Sequence, residues 1–354
     1  MTDHMPSPLL EILRRLAPGT ELREGIERII QQRTGALVVL GSGAKVEALC
    51  TGGFSLRDTR YTAQRLAELA KMDGAIVLDS QSERILRANV HLIPDASIPT
   101  AETGTRHRTA ERMAQQTDQP VVSVSEGRKM AILFTAGMRH ELESPATVLP
   151  RANQMVQTLD RFRRRLDLTE ELLTRQEVEG TVTYRAANSI IQRAEIIRRL
   201  GNDITDLTVA LGDEGSLIEF QADDLLQGIS GLADVVIADY ARGRARSKSL
   251  KALSGLGISE VHTAEDVAAV YRFPDLDEPA NPAGYRVLEG VPGVPAGVKD
   301  ALVAKFKNLT RMLNAPVDKL ATVEGVGPAR ARQLRAYFDQ LQHEAGMVLP
   351  GRGD

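Results

Sequence analysis

Two short stretches in the first third of the chain combine residue types that can do chemistry together. Asp73-Gly74-Ala75 sets a carboxylate beside a glycine, where a helical pattern gives way to an apolar run. Glycine lets a ligand approach the backbone closely, and the neighbouring carboxylate can hold a metal ion or accept a proton. Taken alone, Asp-Gly is a common turn and reads as one. The second stretch is less ordinary. Gly104 and Thr105 precede a helical pattern that starts with Arg106, His107, Arg108 and Thr109. The first N–H groups of a helix lack intrahelical acceptors, and the helix dipole favours anions there. Three basic side chains oppose that dipole unless an anion sits among them. Guanidinium groups bind phosphate oxygens in bidentate fashion, and Thr105 and Thr109 add hydroxyl donors. A capped helix with exposed basic residues is the alternative reading.

Residues that must meet need elements to hold them. Glu21–Arg33 has Leu22, Ile26, Ile29 and Ile30 at helical spacing and predicts an amphipathic helix. Ala36–Leu40 is an apolar run ended by Gly41-Ser42-Gly43, the pattern of a buried strand and turn, with Val46–Leu49 as its expected hairpin partner. Asp58–Met72 is expected to be helical, with Leu66, Leu69 and Met72 on one face. Ala75–Leu78, Val121–Val124 and Lys129–Thr135 read as strands, and Thr105–Gln116 as an arginine-rich helix. Together they predict one α/β domain.

The texture changes after about Glu143. From Pro150 to about Arg242 the patterns are long and helical, with Gly201 and Gly212–Gly215 as expected helix ends. The charge-dense stretches Asp160–Gln176 and Ala186–Leu200 read as solvated helix faces. A basic linker, Arg242–Ser249, leads to short helices cut by Gly and Pro. There, Leu288–Gly293 and Val323–Pro328 each place a glycine turn before a helix, a sign of a duplicated motif. The expected division is an α/β domain over residues 1–145, an all-α connector over 146–280 and an all-α domain over 281–354.

Bulk properties set limits. The 354 residues exceed what one core usually serves. The net charge of −3 excludes a strongly basic whole-chain signature, so any nucleic-acid site must be local. The single cysteine, Cys50, excludes a disulfide framework and a multi-cysteine zinc site, and reads as a small buried hydrophobe. No run reaches the ~18 apolar residues of a membrane span. The start of the chain lacks the apolar stretch of a signal peptide, so a cytoplasmic protein without membrane attachment is expected. No GxxxxGK[ST] pattern occurs, which disfavours an ordinary ATPase.

The stretch Leu66–Arg112, with its Asp-Gly-Ala and Arg-His-Arg pair, closely resembles the diadenylate cyclase domain, as do Gly41-Ser42-Gly43 and Thr51-Gly52-Gly53-Phe54 before it. The resemblance covers about residues 8–140. It implies a mixed sheet flanked by helices, one ATP per protomer, and two protomers face to face, so that each 3′-hydroxyl attacks the other's α-phosphate. It implies ATP contacts from Gly74, Ala75, Leu92, Gly104, Thr105, Arg106, His107, Arg108, Thr109 and Ser125. Asp73, Arg106, His107 and Arg108 are its catalytic candidates. Asp73 either ligates Mg²⁺ or Mn²⁺ or helps deprotonate the hydroxyl, and the sequence leaves both open.

Near the other end, Leu320, Val323, Gly325-Val326-Gly327, Ala331 and Leu334 resemble a helix-hairpin-helix DNA-binding motif. Hairpin glycines free backbone N–H groups for a phosphate, and Arg330, Arg332 and Arg335 can strengthen that contact. From Asn281 to Asp354 there are 10 Lys and Arg against 7 Asp and Glu, a local charge of +3. A hairpin used only for packing is the alternative. The upstream copy, Gly290–Phe306, departs from the pattern, with Pro292 read at the second-glycine position. Such contacts read DNA shape and not sequence. The whole arrangement is similar to the family of DNA-scanning diadenylate cyclases. That resemblance implies a homo-octamer of two four-membered rings meeting through their cyclase heads, association with the nucleoid, and branched DNA restraining the cyclase. The alternative function is a DNA-repair scaffold that holds nucleotide without turnover, against which the intact Asp73 and Arg106-His107-Arg108 argue.

Overall fold

The structure is a computed structural model and describes residues 7–79 and 82–347. Strands that are apolar throughout need cover on both faces. The N-terminal unit supplies it with α1 (Ser7–Arg15), α2 (Glu21–Gln31), β1 (Ala36–Val39), α3 (Ala44–Glu47), β2 (Cys50–Thr51), β3 (Phe54–Arg60), α4 (Ala63–Leu69), β4 (Ala75–Leu78), β5 (Arg84–Leu92), α5 (Thr105–Thr117), β6 (Val121–Ser125), β7 (Met130–Thr135) and β8 (Met138–Glu141). The strands form one mixed sheet, in the order β2-β5-β4-β1-β6-β7-β8, with β3 also paired to β5. β1 and β4 run parallel, and the neighbouring pairs β1–β6 and β4–β5 are antiparallel. Side chains alternate along each strand. Val38, Ile76, Leu78, Val122 and Val124 join Leu22, Ile26, Ile29 and Leu66 in one core. Leu37, Val39, Ala75, Val77 and Val121 join Ala110, Met113 and Ala114 of α5 in the other. Fully burying one such side chain contributes ~1.5–3 kcal/mol.

Three expectations are corrected. Val46–Leu49 is not a hairpin partner of β1. Residues Ala44–Glu47 are the helix α3, and the antiparallel neighbour of β1 is the distant β6. The helix expected over Asp58–Met72 is shorter, because Phe54–Arg60 pairs with β5 and α4 starts only after Thr62, whose hydroxyl accepts the Arg65 N–H at 3.2 Å. Gly201 does not end a helix. It lies inside α7, where a Cβ would come within 2.8 Å of the Leu226 side chain, so the glycine makes room for a packed neighbour. Cys50 is half-buried against Leu92 and its neighbours, and burial pushes its thiol pKa up.

The remaining described residues are mainly helical: α6 (Pro145–Glu179), α7 (Tyr184–Leu211), α8 (Ser216–Leu226), α9 (Leu232–Tyr240), α10 (Ile258–His262), α11 (Ala264–Tyr271), α12 (Tyr285–Glu289), α13 (Ala296–Phe306), α14 (Leu309–Leu313), α15 (Val317–Ala321) and α16 (Pro328–Met347). Residues 7–154 with Ile204–Phe220 form one compact unit, and Met155–Asp203 with residues 221–347 the other. In the second unit, five-residue α12 is too short to stand alone. Its start is held by Asp239 of α9, which accepts the N–H groups of Gly284, Tyr285 and Arg286 at 2.7, 2.6 and 2.9 Å. The Arg286 side chain is buried against Glu177 of α6, which also accepts the Tyr240 hydroxyl at 2.6 Å.

Candidate functional site

The sheet topology converts separate sequence stretches into one wall. Because β1 and β4 are parallel to each other and antiparallel to β6 and β5, one edge of the sheet carries two strand starts and two strand ends. There lie Gly35 and Leu37, Asp73 to Ala75, Val90 to Leu92, and Val124 to Gly127, with the start of α5 above them. They line a cavity of about 660 Å³, within the range of small-molecule sites. Of the expected ATP contacts, Gly74, Ala75, Leu92, Gly104, Thr105, Arg106, His107, Thr109 and Ser125 line it together with Asp73. A larger cavity of about 960 Å³, beside α2 and β8, mixes Arg23, Arg128 and Lys129 with Glu27, Glu141 and Glu143 and brings none of those residues together.

The Arg-His-Arg run splits three ways, because consecutive helical residues point about 100° apart. Arg106 turns to the cavity, where its Nη2 donates to Asp73 Oδ1 at 2.8 Å. His107 turns inward. It is 7% exposed, its Nδ1 meets the buried Ser123 hydroxyl, and its ring lies 6.4 Å from that of Phe134. Burial holds its imidazole below the ordinary value. Glu102 opposes that shift, and Arg128, Arg139 and Arg106 reinforce it. Arg108 is exposed and is not among the cavity's lining residues. Asp73 is 92% exposed, so its carboxylate is open to an incoming cation or hydroxyl as well as to Arg106.

Glycine has different physical reasons at different places on this wall. A Cβ on Gly74 would lie 2.5 Å from backbone atoms of Asn89, at the bulge where β5 shifts register against β4. A Cβ on Gly104 would meet nothing within 4 Å. Packing therefore demands glycine at 74 but not at 104, where the uncapped helix start is left accessible to a ligand. The loop before Gly104 is tethered: Arg139 pairs with Glu102 at 2.8 Å, Arg112 donates to the Ile98 carbonyl at 2.9 Å, and Thr100 bonds to Glu111. Ser125 accepts the Arg128 N–H at 3.2 Å and shapes the turn that carries Glu126 and Gly127 into the cavity.

Sequence reasoning missed Gly35, Leu37, Val90, His91, Val124, Glu126 and Gly127. One signal was available. Gly35-Ala36 opens β1 as Gly74-Ala75 opens β4, and the register Val38 to Ile76 sets the two starts side by side.

The C-terminal helices contain the glycine hairpin twice. α12 and α15 start at 285 and 317, and α13 and α16 at 296 and 328, so both pairs are 32 residues apart. Gly293 (φ 72°) matches Gly325 (φ 77°), each in the left-handed region that favours glycine. This corrects the expected alignment, since Pro295, not Pro292, stands where the second hairpin has Gly327. Pro295 lacks the N–H that Gly327 offers. Val291, Val294 and Leu302 of the first copy and Val323, Val326, Ala331 and Leu334 of the second share one core. Gly325 and Gly327 are exposed, and so is Arg332. Arg330 folds back on the Gly325 carbonyl. Arg335 is not free for DNA, because it donates to the Leu313 and Ala315 carbonyls and pairs with Asp339.

A mixed sheet with a tethered, uncapped helix start, Asp-Gly-Ala beside Arg106, and a tandem hairpin define a class: a diadenylate cyclase that carries a C-terminal helix-hairpin-helix domain. Comparison with known proteins agrees. Family models described as DisA bacterial checkpoint controller nucleotide-binding, DisA bacterial checkpoint controller linker region and helix-hairpin-helix motif match residues 23–139, 142–278 and 285–346. The DNA integrity scanning protein DisA of Kineococcus radiotolerans is 44% identical over 350 residues, 96% of this chain and 97% of that protein. Its counterparts from Acidothermus cellulolyticus and Streptomyces avermitilis are each 44% identical, over 93% of this chain and 92% and 90% of theirs. The chain belongs to the DNA integrity scanning protein DisA family. Among the described residues no helix is long and apolar enough to cross a membrane.

Proposed function

We propose that this protein condenses two ATP molecules into cyclic di-AMP and two pyrophosphates, and that branched DNA held by the C-terminal hairpins restrains the reaction. The observation that carries the reading is the convergence of Asp73, Arg106 and the free start of α5 on one cavity at the sheet edge. The N–H groups of Thr105, Arg106 and His107 hold the phosphates, with the Arg106 guanidinium neutralising their charge. Gly74, Ala75 and Leu92 border the nucleoside, and Thr109 and Ser125 add hydroxyls. His107 orients the helix start from beneath. Arg108, exposed and outside that cavity's lining, adds a second guanidinium for phosphate.

Each 3′-hydroxyl attacks the other nucleotide's α-phosphate, each α–β bridging bond breaks, and each pyrophosphate leaves. One cavity with one ATP cannot close a two-nucleotide ring, so two protomers act face to face, within a homo-octamer. Positioning and charge neutralisation carry most of such a transfer. Among the described residues no cluster of three or more His, Cys, Asp or Glu side chains could hold a metal. Asp73 is the carboxylate that would hold a divalent cation at this site, and either Mg²⁺ or Mn²⁺ would suit its oxygens. When bound, the cation offsets phosphate charge and makes the hydroxyl more acidic.

For DNA, Gly325 and Gly327 offer backbone N–H groups to a phosphate, with Arg330 and Arg332 beside them, while the Val326 N–H is already given to the Val323 carbonyl at 3.0 Å. Binding of this kind is sequence-independent and salt-sensitive, and it associates the protein with the nucleoid. Full-length protein with ATP and Mg²⁺ or Mn²⁺ should yield cyclic di-AMP on chromatography, and added branched DNA should lower the yield. Bulky residues at Gly325 and Gly327 should remove the DNA effect and spare basal turnover. Bound ATP without any cyclic product would favour the scaffold reading instead.

A further inference from the structure

We propose that Gly35 is a positioning residue for the reaction, its missing side chain being the berth that holds the Arg106 guanidinium against Asp73. The inference rests on the reading of Arg106 as a phosphate-neutralising group. Gly35 immediately precedes β1, level with Asp73 before β4. A Cβ built on Gly35 would lie 2.0 Å from Arg106 Nη1, 2.5 Å from Cζ and 3.0 Å from Nη2. Those are its three nearest atoms, and all belong to one guanidinium. Among the described residues, chain neighbours aside, no other group lies closer to that space.

The contrast with Gly74 separates a positioning role from a structural one. At Gly74 a side chain would collide with the Asn89 backbone, so a substitution there strains the sheet itself. At Gly35 the three nearest atoms that it would meet belong to the far end of a flexible side chain, and Gly35 is not among the glycines with positive φ. Gly35→Ala therefore leaves the backbone relaxed and evicts Arg106. The evicted arginine regains rotamer freedom, which must be given up again whenever it reaches a phosphate. Arg106 is 34% exposed, so it has solvent to move into.

The test is a double-mutant cycle on the full-length protein: wild type, Gly35→Ala, Arg106→Ala and the double variant, with ATP and Mg²⁺. Gly35→Ala should lower kcat/KM by about 10- to 100-fold, the scale of a misplaced catalytic contact, with the melting temperature unchanged. In the Arg106→Ala background the same substitution should cost nothing further, because the berth is already empty. Wild-type kcat/KM for Gly35→Ala overturns the proposal, and so does a second full loss in the double variant. If Gly35→Ala misfolds but the double variant folds, the collision with Arg106 is confirmed. If both misfold, Gly35 is a packing residue only. Wild-type kinetics for Arg106→Ala would overturn the phosphate reading itself, and Gly35 would fall with it.

Discussion

Two of the molecule's arginine–carboxylate pairs share their chemistry but stand in opposite settings. In the N-terminal unit, Arg106 and Asp73 meet at a cavity mouth with side chains 34% and 92% exposed. In the C-terminal unit, Arg286 and Glu177 meet in the interior at 9% and 0%, with the Tyr240 hydroxyl on the same carboxylate. An exposed pair contributes about 0–1 kcal/mol and either partner can leave it cheaply. A buried pair resists separation, because each charge left behind lacks water. Asp73 and Arg106 can therefore exchange partners when a nucleotide arrives, whereas Glu177 and Arg286 fasten α6 to α12.

Removing one partner from each pair should expose that difference. Arg286→Met leaves Glu177 buried and uncompensated, and should destabilise the C-terminal unit by about 3–5 kcal/mol in denaturant unfolding. The N-terminal sheet should keep its hydrogen-exchange protection. A loss below about 1 kcal/mol would mean that water reaches Glu177 and that the pair is not a fastener. Asp73→Asn should do the opposite. Cyclic di-AMP formation should fall by about 100-fold or more, some 2.7 kcal/mol of transition-state free energy, while stability stays within about 1 kcal/mol. Near-normal turnover in the folded variant would remove Asp73 from the mechanism.

The two units should also differ in the sign of their pH dependence. Burial, helped by Glu177, pushes the Asp239 carboxyl up to about 7 against the three N–H groups that it accepts. The folded state then keeps a proton that the unfolded carboxyl sheds near its ordinary 3.8, so stability from this group declines as pH rises from about 4 to about 7. One proton limits the slope to about 1.4 kcal/mol per pH unit. Asp239→Asn should flatten it, and an unchanged slope would place its origin elsewhere. His107 works the other way. Its folded imidazole is held below the ordinary 6.5, so the unfolded chain takes up the proton first, and stability is lost as pH falls below about 6.5. His107→Gln should weaken that acid-side loss in the N-terminal unit, as read by hydrogen exchange across α5. The same acid-side loss in His107→Gln would show that another group causes it.

Much of this was legible in the residues themselves. The apolar runs of β1, β4 and β6 and the helix start at Gly104 are local signals, since a few adjacent side chains determine each. The motif pair and the hairpin glycines are local too, and so carried the family resemblance. β5 was not legible, because Arg84, Arg87, Asn89 and His91 break up its apolar residues and its pairing partners lie in other segments. Nor was the extent of α4, where strand pairing by Phe54–Arg60 overrode a helical pattern.

By itself the sequence determined which chemistry was on hand: a carboxylate beside a glycine, basic residues on a helix start, and glycines able to adopt positive φ in the hairpins. Only the tertiary structure decided who meets whom. Arg106 reaches Asp73 across 33 residues of chain because β1 and β4 align side by side and Gly35 leaves the space open. His107 turns to Ser123, and Arg108 away from the cavity, by the angle of a helix that its packing orients. Glu177, Tyr240 and Arg286 become one cluster from three separate helices. Residue type and spacing set what a group can do. Whether it is exposed, paired or buried depends on elements remote in the chain, and that environment sets whether a charge is free to react.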